Sequence, residues 1–256
     1  VKHQPRKRFG QNFLVDESVV AATIAALRPK RGDLVVEIGP GLGALTKPLL
    51  ALVDELHVIE IDRDLAADLQ RKQPQLTVHT CDALGFDFAQ FKKEIRVIGN
   101  LPYNISTPML FHLENFAARI RDIHVMLQQE VVNRMAATPA DSNYSRLSVM
   151  LQYRFTVEKL FSVGPEAFTP QPQVESAVIR LTPRDPLPWP AHDEISFARI
   201  VAAAFTQRRK TLRNSLKGYL TAPDFITLDI DPQARGQELS IAQFVAIANH
   251  VNARTT

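Results

Sequence analysis

Short apolar runs alternate with longer stretches of helical spacing through the first two-thirds of the chain. The segments at 33–39 (DLVVEIG), 55–61 (ELHVIEI), 76–81 (LTVHTC), 95–100 (IRVIGN) and 122–128 (DIHVMLQ) are rich in Val, Ile and Leu and too short for helices, so they predict buried strands. Between them, 42–52 and 65–73 space their apolar residues as a helix does. This alternation predicts a parallel, doubly wound sheet. Two later runs, 155–163 and 174–181, lie too close together for a helical crossover. They are expected to pair antiparallel at a sheet edge.

The texture then changes. Four prolines fall between 183 and 190, which suits a stiff linker and not a helix or central strand. Beyond them, 195–205, 207–220 and 241–251 read as helices. The expected organisation is an α/β domain with a Rossmann-like fold over 1–182, a Pro-rich linker over 183–191 and a small all-helical domain over 192–256.

Composition narrows the class. With 256 residues and 45% hydrophobic content the chain can bury a full core. No apolar run approaches the roughly 20 residues that span a bilayer. The opening residues, VKHQPRKRFGQNF, lack the apolar stretch of a signal peptide; a cytoplasmic protein without membrane contact is expected. The single cysteine, Cys81, leaves no partner for a disulfide and no multi-cysteine zinc site, and it reads as the end of a buried strand. The seven histidines show no metal-binding spacing, so no metal is expected.

A net charge of +3 says little, but its distribution says more. Lys2, Arg6, Lys7 and Arg8 crowd one end of the chain. Arg208, Arg209, Lys210, Arg213 and Lys217 fall within the interval from Glu194 to Asp224, which holds no acid between its ends. A solvated face is the plain reading of either cluster; together they also suit a polyanion such as nucleic acid.

Candidate chemistry begins at VVEIGPGLGALT (35–46), a strand, a glycine loop and the start of a helix. Gly39 and Gly41 allow a sharp turn and close backbone approach to a ligand. The details argue against a dinucleotide. The third glycine comes one place early for G-x-G-x-x-G, Pro40 removes an N–H donor, and Glu37 adds negative charge where a pyrophosphate would sit. A ligand with no phosphate and some positive charge fits better, and S-adenosylmethionine is such a ligand. Glu60 ends the second strand about 20 residues beyond Gly39, the usual interval for an acid that reaches ribose hydroxyls. Asp82 ends the third strand and suits the adenine amino group, with the Ala83 N–H beside it. Each acid alone also reads as a helix N-cap. Together, at the carboxyl ends of successive parallel strands, they outline one crevice.

The motifs GQNFL (10–14), EIGPGLGALT (37–46), VIEID (58–62), CDAL (81–84), GNLPYNIST (99–107), FTPQPQVESAVIRL (168–181) and FTQRRKTLRNSLK (205–217) occur in the order seen in the KsgA (RsmA) family of small-subunit rRNA adenine dimethyltransferases, which the chain resembles over nearly its whole length. The resemblance implies a monomeric S-adenosylmethionine-dependent methyltransferase that dimethylates N6 of two adjacent adenines in the 3′-terminal hairpin loop of small-subunit rRNA, within a 30S-type particle and coupled to its maturation. It also adds Asn12 and Leu14 to the cofactor site, over the methionine end. Phe13 and Leu14 otherwise read as a hydrophobic staple. Alternatives are an Erm-like large-subunit rRNA methyltransferase, a DNA adenine methyltransferase with a related N-P-P-Y loop, and a non-catalytic assembly factor. In the loop 136–149 the family commonly has a glycine before the arginine and a basic residue, where Ser145 and Asp141 stand here.

The loop GNLPYNIST contains no titratable side chain except the phenol of Tyr103. Methylation of a neutral amine by a sulfonium needs no prior deprotonation. The Asn100 side-chain oxygen, with the main-chain carbonyl of Leu101 or Pro102, is expected to accept the two N6 hydrogens and, as charge builds, to bind the transition state more tightly than the ground state. Asn100 also borders the cofactor. Pro102 fixes its own φ and offers no N–H to compete for the amine. Tyr103 and Phe168 are expected to stack on the two faces of the adenine. Thr107 is expected to cap the next helix, with Pro108 at its first position. The basic stretch Arg208, Arg209, Lys210, Arg213 and Lys217 is the expected grip on RNA phosphates.

Overall fold

The computed structural model describes residues 11–254. The N-terminal basic cluster of Lys2, Arg6, Lys7 and Arg8 lies outside them. In chain order the structure begins with β1 (Phe13–Leu14), α1 (Glu17–Leu27), β2 (Leu34–Ile38), α2 (Thr46–Leu50), β3 (Glu55–Ile59), α3 (Arg63–Lys72) and β4 (Thr77–His79). It continues with β5 (Ile95–Asn100), α4 (Ser106–Glu114), β6 (Ile120–Gln128), α5 (Gln129–Ala136), α6 (Arg146–Arg154), β7 (Phe155–Val163), β8 (Phe168–Thr169) and β9 (Ser176–Pro183). The last elements are α7 (Glu194–Phe205), α8 (Leu212–Ser215), α9 (Ala222–Thr227) and α10 (Ile241–Ala253).

The chain divides into two compact units, one running to Val132 and including Thr156–Pro183, the other made of Asn133–Phe155 with the residues from Arg184 onward. The second unit therefore takes in α6, which precedes the proline-rich stretch, although the sequence-based boundary at 182 assigns it to the first domain.

The first unit is built on a seven-stranded sheet of order β4-β3-β2-β5-β6-β9-β7. Pairings from β4 through β6 are parallel, and β9 runs antiparallel to β6. The central strands β2 and β5 are almost wholly buried, which explains why their sequences are continuous apolar runs. Chain order reverses between β2 and β5, so a crevice opens at their carboxyl ends. The late runs β7 and β9 are neighbours at one edge.

A buried arginine ties the opposite end of the sheet. Arg96 on β5 bonds to Asp122 through Nε at 2.9 Å and Nη2 at 2.7 Å, and to Asp33 at 2.9 Å. Its Nη2 also donates to the Leu27 carbonyl at 2.6 Å, closing the end of α1. A guanidinium with this many acceptors is compensated although little of it reaches water.

Four local expectations change. The helix expected over 42–52 shortens to α2, because Gly39, Gly41 and Gly43 all take positive φ and the loop continues to Leu45. The helix expected over 207–220 shortens to α8: the Leu212 and Arg213 N–H groups donate to the carbonyls of Ala234 and Pro232 at 2.7 and 3.0 Å instead of to a preceding helical turn. The fourth helix of the first unit begins at Ser106 with Ile105 at its cap position, so Thr107 and Pro108 both lie inside its first turn. A two-stranded sheet that the pattern does not suggest joins β1 to β8.

The second unit packs α6 and α10 on α7 around Phe197, Ile200, Val201, Phe244 and Ile247. In its 136–149 segment Ser145 and Ser148 form a capping box for α6. The Ala140 N–H reaches the Gln237 carbonyl at 2.8 Å, and Arg208 donates to the Ser142 carbonyl.

Candidate functional site

The crevice at the carboxyl ends of β2, β3, β4 and β5 holds a cavity of about 330 Å³. Asn12, Leu14, Gly39, Gly41, Glu60, Asp82, Ala83, Asn100, Leu101, Pro102 and Tyr103 all line it. Eleven residues from five separate stretches of sequence thus meet at one place. Among the described residues no Lys, Arg or His lines this cavity.

The glycine loop is held from β3. Gly39 donates its N–H to the Ile59 carbonyl at 2.9 Å, and the Gly41 N–H reaches Glu60 Oε2 at 3.1 Å. The other Glu60 oxygen accepts from the Asp62 N–H at 2.9 Å, so the carboxylate is fixed at the strand end. Burial pushes the Glu60 carboxyl above its ordinary value. A Cβ on Gly41 would meet the Phe13 ring at 2.9 Å, so Phe13 lies directly against the loop and only glycine permits that contact.

Beneath the loop, Glu37 is fully buried and accepts from Thr46 Oγ1 at 2.6 Å. Burial, with the Glu60 charge adding to it, raises its carboxyl to about 8, so the group is protonated at neutral pH. Asp82 plays two parts: it caps the turn at Ala83–Gly85 by accepting from the Leu84 N–H at 2.9 Å, and it lines the cavity.

The loop after β5 holds the residues expected to meet the target amine. A Cβ on Gly99 would stand 2.4 Å from the Ile38 carbonyl oxygen, so β5 and β2 approach more closely than any other residue allows. Asn100 Nδ2 donates to the Asn12 carbonyl at 2.9 Å across 88 residues of sequence. That bond sets the amide plane and leaves Oδ1 as the acceptor end. The Leu101 N–H is held by the Met126 carbonyl at 3.2 Å. The Pro102 carbonyl already accepts from the Ile105 N–H and Ser106 Oγ, each at 3.1 Å. Of the two carbonyls expected to receive the amine, Leu101 is therefore the one that remains available. Tyr103, half-buried, places its hydroxyl 2.9 Å from Ser176 Oγ on β9, and burial raises its phenol above the ordinary value.

Phe168 is not brought to the cavity. It is 1% exposed, pairs with Leu14 in the β1–β8 ladder and packs into the core with Leu14, Met126 and Val178. Arg208, Arg209, Lys210, Arg213 and Lys217 are all exposed and belong to the second unit.

Several lining residues carried no signal beyond being apolar. Leu42 and Ile61 are 46% and 45% exposed, yet both line the cavity. Only the fold exposes them, Leu42 in the glycine loop after β2 and Ile61 just past the end of β3.

The residues fit an adenosyl ligand with a cationic tail. Acids and carbonyls face the cavity, Pro40 withholds an N–H, and no cation is present among the described lining residues to hold a phosphate. The parallel sheet, the reversal of strand order and this acid-lined glycine crevice define a Rossmann-like methyltransferase. Residues 2–253 match the family model described as ribosomal RNA adenine dimethylase. The chain belongs to that family.

Relatives agree along the whole length. A protein of Thiobacillus denitrificans named ribosomal RNA small subunit methyltransferase A is 56% identical over 98% of this chain and 100% of its own. One of the same name from Laribacter hongkongensis is 54% identical over 97% of this chain and 96% of its own. Among solved structures, a dimethyladenosine transferase of Plasmodium falciparum superposes with a TM-score of 0.82 at 25% identity, covering 95% of this chain and 98% of its own. The 23S rRNA methyltransferase ErmE shares the fold, with a TM-score of 0.72 at 23% identity over 94% of this chain and 100% of its own.

Proposed function

We propose that this protein dimethylates N6 of two adjacent adenines in the 3′-terminal hairpin loop of small-subunit rRNA, using S-adenosylmethionine and acting on a 30S-type particle as the subunit matures. Full-length relatives above 50% identity named for the small subunit support this substrate over large-subunit RNA. The observation that carries the chemistry is the Asn100 amide, held at the cavity by the Asn12 carbonyl.

Glu60 suits the ribose hydroxyls, and Asp82 with the Ala83 N–H suits the adenine edge. Leu42 and Ile61 offer apolar surface to the ring, while Asn12, Leu14 and the Gly39–Gly41 backbone enclose the amino-acid end. S-adenosylmethionine bound there supplies an electrophilic methyl group on sulfur. Asn100 Oδ1 and the Leu101 carbonyl accept the two N6 hydrogens of the target adenine. This turns the nitrogen lone pair out of conjugation with the ring. As the nitrogen gains positive charge the same acceptors bind it more strongly, which lowers the barrier without a basic side chain. Tyr103 supplies a flat face for the extruded base, and its bond to Ser176 fixes the ring; such stacking is worth roughly 1–3 kcal/mol. The proposal assigns stacking to Tyr103 and keeps Phe168 as the core anchor that seats Leu14. Arg208, Arg209, Lys210, Arg213 and Lys217 serve as the phosphate contacts.

The test is incubation with labelled S-adenosylmethionine and unmethylated small subunits, large subunits or DNA, followed by nucleoside analysis. Dimethyladenosine in small-subunit RNA alone is expected. Label confined to large-subunit RNA or DNA overturns the reading.

A further inference from the structure

The second unit contains a groove that the methyl-transfer site does not use. It is lined by Arg213, Asn214, Lys217, Leu220, Phe225 and Pro232, with Ala222 at its edge, and encloses about 340 Å³. Leu220 and Phe225 are buried and form an apolar floor, whereas Arg213, Asn214 and Lys217 are exposed. With seven lining residues against twenty-four at the sheet cavity, the groove is the less extensive of the two sites, on the scale of one nucleotide and not of a longer ligand. One nucleotide therefore has room in it.

Its charge is uncompensated. Neither Arg213 nor Lys217 forms an ion pair among the described residues. The buried acid nearest in sequence, Asp224, is already engaged by Thr221, His250 and Arg254. The Asp231 carboxylate, beside Pro232, accepts from the Gln233 N–H at 2.8 Å. Two unpaired cations over an apolar floor match a phosphodiester attached to a flat, weakly polar base. A folded protein surface would instead be expected to bring carboxylates, without needing a pocket for a ring.

We propose that this groove seats one unpaired nucleotide of the RNA substrate, its phosphate held by Arg213 and Lys217 and its base lying over Phe225, Leu220 and Pro232. The proposal rests on the RNA-methylating reading given above and adds to the basic face a discrete subsite with a steric limit. The site grips without reading sequence, since the floor offers packing and Asn214 is the one neutral polar side chain in its lining. It anchors the RNA at a second point remote in sequence from the catalytic loop.

The experiment compares the wild type, the double variant Arg213→Gln/Lys217→Gln and the filled variant Ala222→Trp, using intact unmethylated small subunits. Affinity is measured across a salt series, and S-adenosylmethionine binding and thermal unfolding report on integrity. The double variant is expected to weaken subunit binding roughly tenfold or more and to flatten the slope of log K against log salt by about 0.7, the share of one neutralised phosphate on a single strand. Ala222→Trp should weaken binding comparably while leaving the slope unchanged, because it removes space and no charge. Full affinity in the folded Ala222→Trp protein would overturn the subsite, whatever the charge variant does.

Ultraviolet crosslinking of the wild-type complex gives a readout independent of these variants. A nucleotide adduct within residues 213–225 is expected; crosslinks from that segment to ribosomal protein alone would overturn the proposal. Failure of the functional reading looks different, because the wild type would then leave small-subunit RNA unmethylated.

Discussion

The reactive surface depends on which atoms are already occupied. Asn100 Nδ2 donates to the Asn12 carbonyl, and the Pro102 carbonyl is engaged by Ile105 and Ser106, which leaves Asn100 Oδ1 and the Leu101 carbonyl as acceptors. Asn100→Ala is expected to lower kcat by a factor on the order of 10²–10³, the usual cost of one transition-state hydrogen-bonding partner. Binding of S-adenosylmethionine, measured by calorimetry, should survive in that variant. Near-normal turnover would sink the mechanism. Gly99 acts through geometry instead. Gly99→Ala forces a Cβ to within 2.4 Å of the Ile38 carbonyl, so β5 must move away from β2. A stability loss of about 2–3 kcal/mol by denaturant unfolding is expected. A larger proportional loss of kcat/KM should accompany it, since Asn100 follows directly on the displaced strand.

At the scale of elements, the amino end of β5 is anchored by charge and its carboxyl end by close approach. Arg96 joins β5 to β6 through Asp122, to the start of β2 through Asp33 and to the end of α1 through Leu27. Arg96→Met should cost about 3 kcal/mol, because the buried Asp122 carboxylate loses its guanidinium partner and Asp33 is left with Arg121 and the Lys30 N–H alone. Replacing Asp33, Arg96 and Asp122 together by apolar residues should recover part of that loss, which a comparison of denaturation midpoints would reveal. The pattern of apolar residues announced β2, β3, β5, β6 and α3 clearly, since each carries its period within its own few residues, whereas the buried strand expected over 76–81 is only the short, part-exposed β4, with the half-buried Cys81 beyond its end. It failed at α2 and α8. There the glycine loop and the hydrogen bonds from Leu212 and Arg213 to residues 232–234 replace helical turns, and no local period reports them.

For the molecule as a whole, two buried ionisable groups give stability opposite pH slopes. Glu37 has a folded-state pKa raised from 4.5 to about 8. Its contribution is complete below the lower value and is lost as pH rises to the upper one, with a slope of at most about 1.4 kcal/mol per pH unit. Glu60 is shifted in the same direction. His124, buried with neither ring nitrogen hydrogen-bonded, is lowered from 6.5 to about 4, so its contribution is lost as pH falls through that interval. Glu37→Gln should flatten the decline in unfolding free energy between pH 5 and pH 8, and His124→Leu should flatten the loss below pH 6.5. Urea titrations at several pH values check both, and an unchanged Glu37→Gln profile would remove that carboxyl from the account.

Much of the fold and site was determined by the sequence itself: the parallel order of short apolar strands, the glycine loop, and the acids Glu60 and Asp82 at strand ends. These are short-range features, in which neighbouring residues share one backbone constraint, and parallel strands then bring their carboxyl ends together. The family motifs also marked Asn100 to Tyr103. Only the tertiary structure decided that Phe168 lies in the core and that Asn12 orients Asn100. It also decided that Arg213 and Lys217 border an apolar groove. Each of these depends on segments far apart in sequence competing for the same space or the same hydrogen bond, and that competition is resolved only when the chain has folded.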